Sequence, residues 1–119
     1  MTQIRALVTM RFAPENREQL RTAVEKLTTK AASEKGVLGM TYSVSRSGDI
    51  LFVNEHYRDA AGMLDHLLGM DPKVTQELVS LVTIESMIVC GPVTDRIEQL
   101  VAGFGDITFA ETLADSAQS

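Results

Sequence analysis

Apolar and polar residues alternate along several stretches of the chain, which is the pattern of β-strands with one buried face. Three such stretches run from Gln3 to Phe12, from Val37 to Arg46 and from Ile50 to Tyr57. Two more apolar stretches, Thr83 to Cys90 and Ile107 to Leu113, predict later strands. In the first strand the alternation predicts one apolar face made of Ile4, Ala6, Val8, Met10 and Phe12.

Between the strands, apolar residues recur at helical spacing. Pro14 suits the first turn of a helix that ends before Gly36, because proline starts helices and glycine often ends them. Asp59 is a candidate N-cap for a short helix running to about Leu68, and Asp71-Pro72 predicts the start of another helix.

The order strand, helix, strand, strand, helix, strand predicts an α+β fold of the ferredoxin-like (split βαβ) type, an antiparallel sheet with its helices on one face. The strand from Ile50 is apolar on both parities at its start: Ile50 and Phe52 on one side, Leu51 and Val53 on the other. Whichever parity faces the helices, the other face stays uncovered. An apolar face of this kind predicts a homodimer.

The chain is long enough for one domain, which we place at residues 1–113. Within it, 92–113 is a C-terminal helix and strand beyond the basic plan, with Thr94 as the candidate cap of the helix. We expect Ile107 to Leu113 to lie against the edge of the partner's sheet. Residues 114–119 are expected to form a disordered tail.

Charge and cysteine content restrict the partners and the compartment. The net charge is -5, and the basic residues are scattered, so neither nucleic acid nor an anionic membrane is an expected partner. The single Cys90 cannot form an internal disulfide, and the N-terminus has no signal-peptide pattern. We therefore expect a cytoplasmic protein.

The strand from Ile50 to Tyr57 carries several candidate chemical groups. Glu55 and Tyr57 share one face, and Asn54 and His56 share the other. Glu55 either has a raised pKa and acts as a base, or forms a structural ion pair, for which the candidates are Arg5, Arg11 and Arg46. His56 either lines a cavity beside Asn54 or lies in water at the end of the sheet. Glu55 and His56 cannot hold one ion from opposite faces, so no metal site is expected.

His66 lies on the predicted short helix beside Met63 and Leu67. If this helix face looks into a pocket, the imidazole could take a proton from a phenol or quinol near neutral pH. The alternative is a half-buried structural histidine bonded to a backbone carbonyl.

The run Asn54-Glu55-His56-Tyr57-Arg58-Asp59, followed by a short apolar helix ending in Asp65-His66-Leu67, resembles the antibiotic biosynthesis monooxygenase family of dimeric α+β barrels. That family often shows a Glu, one residue, an aromatic that is usually Trp, a short helix and a His. Glu55, Tyr57 and His66 occupy those places here. The resemblance extends over roughly residues 3 to 91.

This resemblance implies a cofactor-independent monooxygenase, an oxidoreductase that acts on a small phenolic, quinol or polyketide-like substrate. His66 would be the base, with Glu55 or Asn54 as an orienting group. The chain has no Trp and no Asn on its first strand, so the haem-degrading branch of the superfamily is disfavoured. The small apolar or aromatic substrate would be bound by Tyr57, His56, Met63 and Leu67.

Two other functions stay open at this point. One is a dimeric ligand-binding or structural module without catalysis, which would hold only apolar walls in its pocket. The other is an isomerase of small hydroxyketones, which needs at least two proton-transfer groups facing one cavity.

Overall fold

The computed structural model describes residues 2–116, and its regular elements within that range are five strands, four α-helices and two 3₁₀ turns, Pro14–Asn16 and Ala102–Phe104. The strands are β1 (Ile4–Phe12), β2 (Val37–Val44), β3 (Ile50–Tyr57), β4 (Val82–Cys90) and β5 (Thr108–Ala110). The helices are α1 (Arg17–Ala32), α2 (Ala60–Leu68), α3 (Pro72–Leu81) and α4 (Asp95–Val101).

The strands form one sheet in the order β2-β3-β1-β4-β5. The first four are antiparallel to their neighbours, and β5 is parallel to β4. The first four therefore give the ferredoxin-like α+β arrangement, and the predicted fold class is confirmed. The five apolar residues predicted for one face of β1 are all buried, so the alternation assigned that face correctly.

Three of the predicted helix starts are confirmed by their caps, whereas Pro14 begins a 3₁₀ turn that leads into α1 at Arg17. The carboxylate of Asp59 accepts a hydrogen bond from the Gly62 amide at 2.8 Å, at the start of α2. The Asp71 carboxylate accepts one from the Lys73 amide at 2.9 Å, at the start of α3. The Thr94 hydroxyl does the same for α4.

Two local features differ from the sequence-based expectation. A register shift between Val37 and Gly39 breaks the alternation of β2, so that Leu38 is 41% exposed instead of joining the buried face. The C-terminal strand is only three residues long, where residues 107–113 were expected, and it pairs with β4 of its own chain. Its place against the partner's sheet edge stays a prediction.

The expected tail at 114–119 lies partly outside the described residues, since the structure describes it only as far as residue 116. Within the described part, Asp115 lies 3.6 Å from the guanidinium of Arg5 on β1.

The two faces of the sheet differ in their exposure. Leu51 and Val53 of β3 are buried in the core formed with the helices. Phe52 has the opposite parity and is 41% exposed, as are Leu7 at 45% and Ile88 at 36%. Leu7 and Ile88 are direct cross-strand partners. We call Leu7, Phe52 and Ile88 the outer apolar patch.

No helix within residues 2–116 is both long enough and apolar enough to cross a membrane.

Candidate active site

A cavity of about 80 Å³ lies between the sheet and the helices, and we call it the inner cavity. Most of its wall is apolar and rich in methionine. The apolar part of the lining is Val8, Met10, Leu27, Met40, Val53, Met63, Leu67, Met70, Leu78, Val79, Val82, Ile84, Met87 and Phe104. The polar lining residues are Tyr42, Glu55, His66 and Thr75. A few convergent polar groups in an apolar pocket are typical of a small-molecule site.

Glu55 reaches the inner cavity because it shares the parity of Leu51 and Val53 on β3. Burial raises the pKa of its carboxyl, since the charged form loses hydration. A hydrogen bond from the Tyr57 hydroxyl and the nearby His66 oppose this rise, but burial is the larger effect. The site therefore holds a carboxyl group suited to carry a proton at higher pH than usual.

Two tyrosines surround this carboxyl. Tyr57 is completely buried and donates its hydroxyl hydrogen to Glu55. Tyr42 lies on β2 in the cavity wall. Burial and the charge of Glu55 raise the pKa of both phenols, so both stay protonated at neutral pH.

His66 lies on α2 and is only 6% exposed. Its Nδ1 is 2.8 Å from Oε1 of Glu34, in the loop that follows α1. With the Glu34 carboxylate as acceptor, Nδ1 carries the hydrogen of the neutral ring, and Nε2 keeps a free lone pair. The Tyr57 ring packs against the imidazole, with the ring centroids 5.6 Å apart. The local structure thus selects the tautomer in which Nε2 is the basic nitrogen.

Two glycines allow Glu34 and His66 to meet. Gly36 follows α1 and Gly62 lies in the first turn of α2, and their backbones are in contact: a Cβ on Gly36 would come within 2.3 Å of the Gly62 Cα. His66 is one helical turn after Gly62, so the close approach brings the same face of α2 towards Glu34. A side chain at either glycine would push α2 away from that loop.

The sequence-predicted residues divide into two groups. Glu55, His66, Met63 and Leu67 line the inner cavity. Tyr57 is not in the lining, because it lies behind Glu55 and contacts it through the hydroxyl.

Asn54 and His56 were predicted to belong to the site, and the structure corrects this prediction. Their parity on β3 is opposite to that of Glu55, so they lie on the face of the sheet away from the inner cavity. His56 Nε2 is 2.6 Å from the Gln3 side-chain oxygen. Burial, with the positive charge of Arg5, lowers the pKa of His56. Neither residue is retained in the proposed site.

The structural roles that the sequence offered as alternatives for Glu55 and His66 also differ from what the structure shows. Arg5 and Arg11 lie on the outer parity of β1 and pair with Asp115 and Glu85 instead of Glu55. His66 bonds to a carboxylate and not to a backbone carbonyl. Glu34 was missed in the sequence because it lies in a loop with no motif around it. The one available signal was Gly62, a glycine inside a short helix, which marks a close backbone approach.

Within residues 2–116, no three His, Cys, Asp or Glu side chains come together in a group that could hold a metal ion.

Comparison with known structures shows the same fold. The structure of MupZ from Pseudomonas fluorescens superposes with a TM-score of 0.80 at 22% identity, over 99% of this chain and 96% of that one. A candidate antibiotic biosynthesis monooxygenase from Caulobacter crescentus gives 0.64 at 17% identity, over 74% and 85%. Another from Deinococcus radiodurans gives 0.61 at 22% identity, over 76% and 93%. Identities this low establish the fold alone.

No curated protein matches the sequence. The family model for antibiotic biosynthesis monooxygenases matches residues 3–71, which is more than half of the chain and includes Glu34, Glu55 and His66. The chain therefore belongs to the antibiotic biosynthesis monooxygenase family.

Proposed function

We propose that the protein is a cofactor-independent monooxygenase that binds a small phenolic, quinol or polyketide-like molecule in the inner cavity. The observation that carries this proposal is that His66 and Glu55 face one apolar cavity, with His66 held by Glu34. The family and the candidate monooxygenases of the same fold support it.

The first step is proton removal from the substrate hydroxyl. His66 Nε2 accepts this proton, and the imidazolium that forms is stabilised by the Glu34 carboxylate at Nδ1. Glu55 lies on the same cavity and, with its raised pKa, binds a second substrate oxygen as a proton donor. The apolar lining excludes water, which makes the deprotonated substrate a stronger electron donor.

The second step uses the substrate as the reductant. The phenolate gives one electron to dioxygen, and the resulting radical and superoxide form a C–O bond at a ring carbon that carries hydrogen. Loss of water from the hydroperoxide leaves a new carbonyl, so that one oxygen atom enters the product and the other leaves as water. A CH₂ group or its enol tautomer supplies all four electrons that dioxygen accepts, and the balance needs no further reductant.

The test is oxygen uptake with a panel of quinols and polycyclic phenols, followed by mass spectrometry after reaction under ¹⁸O₂. We expect uptake above the buffer rate and one labelled oxygen atom in the product. His66→Ala should lower the rate by about 10² to 10⁴. His56→Ala is the matched control and should leave the rate unchanged, since His56 lies on the other face. Uptake equal to buffer across the whole panel would rule the proposal out.

An isomerase is the second candidate, and one observation favours it: two proton-transfer groups, His66 and Glu55, face the same cavity. An isomerase would turn over a hydroxyketone without dioxygen. Incubation under nitrogen separates the two functions, because the monooxygenase reaction then stops. The polar lining is an argument against the third possibility, a binding module with only apolar walls.

We further propose that two copies of the chain associate through the outer apolar patch and that the protein is cytoplasmic. The patch supports the homodimer because it leaves three large apolar side chains in water on a monomer. The lone Cys90, which forms no internal disulfide, supports the location.

A further inference from the structure

A second cavity adjoins the first on the molecular surface, and we call it the outer cleft. Its volume is about 310 Å³, and it lies between α1 and the connection from α2 to α3. Leu27, His66 and Met70 line both the inner cavity and the outer cleft. The two spaces therefore lie side by side, and His66 is part of the wall between them.

The inner cavity is small for the substrates that the proposed function requires. Its volume of about 80 Å³ is below the roughly 150 Å³ of an engineered cavity that binds benzene. It is also below the range of about 300 to 1,000 Å³ that is usual for ligand sites. The outer cleft by itself reaches that range.

We propose that the outer cleft is the second half of the substrate-binding site and that the substrate is elongated. This inference rests on the proposed function. The reacting end lies in the inner cavity at His66 and Glu55, and an apolar chain of several carbon atoms passes Met70 and Leu27 into the outer cleft.

The wall between the two spaces suits such a passage. Met70 lies in the three-residue connection between α2 and α3, outside both helices. A methionine side chain has three rotatable bonds and adapts to irregular apolar surroundings. Rotation of Met70, which lines both spaces, would join them and make room for the reacting ring beside His66 without any change in the helices.

Three of the four charged Lys, Glu and Asp side chains that line the outer cleft have partners within the fold. The ammonium group of Lys26 lies 3.6 Å from a carboxylate oxygen of Glu77 on α3. Glu34 bonds to His66, and Asp71 caps α3. Lys30 is the remaining charged residue of the lining, and the apolar chain is recognised by Leu27, Met70 and Val74.

The test compares the binding of 2-methylhydroquinone and 2-pentylhydroquinone by titration calorimetry under nitrogen, so that no oxidation takes place. A fully buried methylene strengthens binding about fourfold and a half-buried one about twofold. Four additional carbons that are each slightly less than half-buried should therefore lower the dissociation constant about tenfold in the unmodified protein.

Val74→Trp is the blocking variant, because Val74 lines the outer cleft and not the inner cavity. In this variant the ratio of the two dissociation constants should fall to about one. Gln99→Trp is the matched control on the exposed surface of α4, and it should keep the tenfold ratio. If Val74→Trp does not fold by circular dichroism, Val74→Phe provides the same comparison with a smaller side chain.

Equal binding of the two hydroquinones by the unmodified protein would overturn this inference and leave the proposed function standing. A tenfold ratio that survives in Val74→Trp would also overturn it. A ratio that depends on Val74, together with no oxygen uptake by any quinol, would support the elongated site and contradict the monooxygenase. Failure of both probes to bind would contradict both.

Discussion

The tautomer of the His66 imidazole depends on a single neighbouring residue, Glu34. The Glu34 carboxylate at 2.8 Å from Nδ1 fixes the orientation of the ring and leaves Nε2 as the basic nitrogen. Tyr57 contacts both sides of the site, since its ring packs on His66 and its hydroxyl bonds to Glu55. Glu34 and Tyr57 are therefore positioning residues, and His66 and Glu55 are the groups that would contact the substrate.

Glu34→Ala should lower the oxygenation rate at least about tenfold, as is common when the partner of an active histidine is removed. The reason is that the neutral imidazole is no longer held in one tautomer. Nitrogen-15 spectra of the two histidines should show His66 protonated at Nδ1 in the unmodified protein and as a mixture of tautomers in Glu34→Ala. Glu34→Gln retains an oxygen acceptor and should restore the Nδ1–H tautomer. An unchanged His66 spectrum in Glu34→Ala would contradict this role.

Glu55→Gln should stabilise the fold at neutral pH while lowering the oxygenation rate. Burial raises the pKa of Glu55 in the folded state, so the folded protein binds this proton more tightly than the unfolded chain does. The stability that the proton gives is complete below the usual glutamate pKa and is lost as the pH rises through the folded-state value. The glutamine keeps an acceptor for Tyr57 and has no such loss.

Urea unfolding at pH 4 and pH 8 measures this effect. The free energy of unfolding of Glu55→Gln should be close to that of the unmodified protein at pH 4 and above it at pH 8. A difference that does not vary with pH would show that Glu55 is not the buried titrating group.

At the scale of the elements, α2 is the part that assembles the site. It begins at the Asp59 cap, contacts the loop after α1 through Gly62, and presents Met63, His66 and Leu67 to the inner cavity. The strand β3 brings Glu55 to the same cavity. The site therefore depends on the distance between α2 and the Gly36 loop more than on any long-range charge.

Gly62→Ala should destabilise the protein by about 1 to 2 kcal/mol. The new methyl carbon would lie 2.8 Å from the Gly36 Cα, and such overpacking costs more than the roughly 1 kcal/mol that alanine gains over glycine in a helix. Urea unfolding gives the free energy, and oxygen uptake should fall as His66 moves away from Glu34. Gly103→Ala is the control, because a Cβ there meets no atom within 4 Å. Equal stability of Gly62→Ala and Gly103→Ala would contradict the close contact.

The sequence alone was sufficient to predict the strands, most helix starts and part of the site. Alternation and caps located the strands and the starts at Asp59, Asp71 and Thr94, because these signals are local. The opposite parities of Glu55 and His56 followed from strand geometry alone. Strand geometry could not show which parity faces the helices, since both are apolar at the start of β3. The bulge at Leu38 and the pairing of Glu34 with His66 could not be predicted either, because they depend on tertiary contacts.

At the scale of the whole molecule, the two faces of the sheet differ. Its inner face forms the core and the cavity, and its outer face carries the outer apolar patch. Small polar residues, Thr9 and Ser43 among them, are the cross-strand neighbours of Phe52 on this outer face. A second copy of the same face would cover the patch by two-fold symmetry.

Phe52→Glu should convert the proposed dimer to a monomer, because each copy would bury an unpaired carboxylate in the interface. Light scattering coupled to gel filtration should give twice the 13.0 kDa chain mass for the unmodified protein and a single chain mass for the variant. Leu100→Glu is the control: Leu100 is 39% exposed but lies on α4, so this variant should stay dimeric. A monomeric unmodified protein would contradict the proposed assembly.

The most direct test of the account is a crystal structure of the protein soaked with a substituted hydroquinone under nitrogen. We predict the ring in the inner cavity, with one hydroxyl within hydrogen-bond distance of His66 Nε2 and the other beside Glu55. A hydroquinone bound on the opposite face of the sheet near Asn54 and His56, with the inner cavity unchanged, would contradict it.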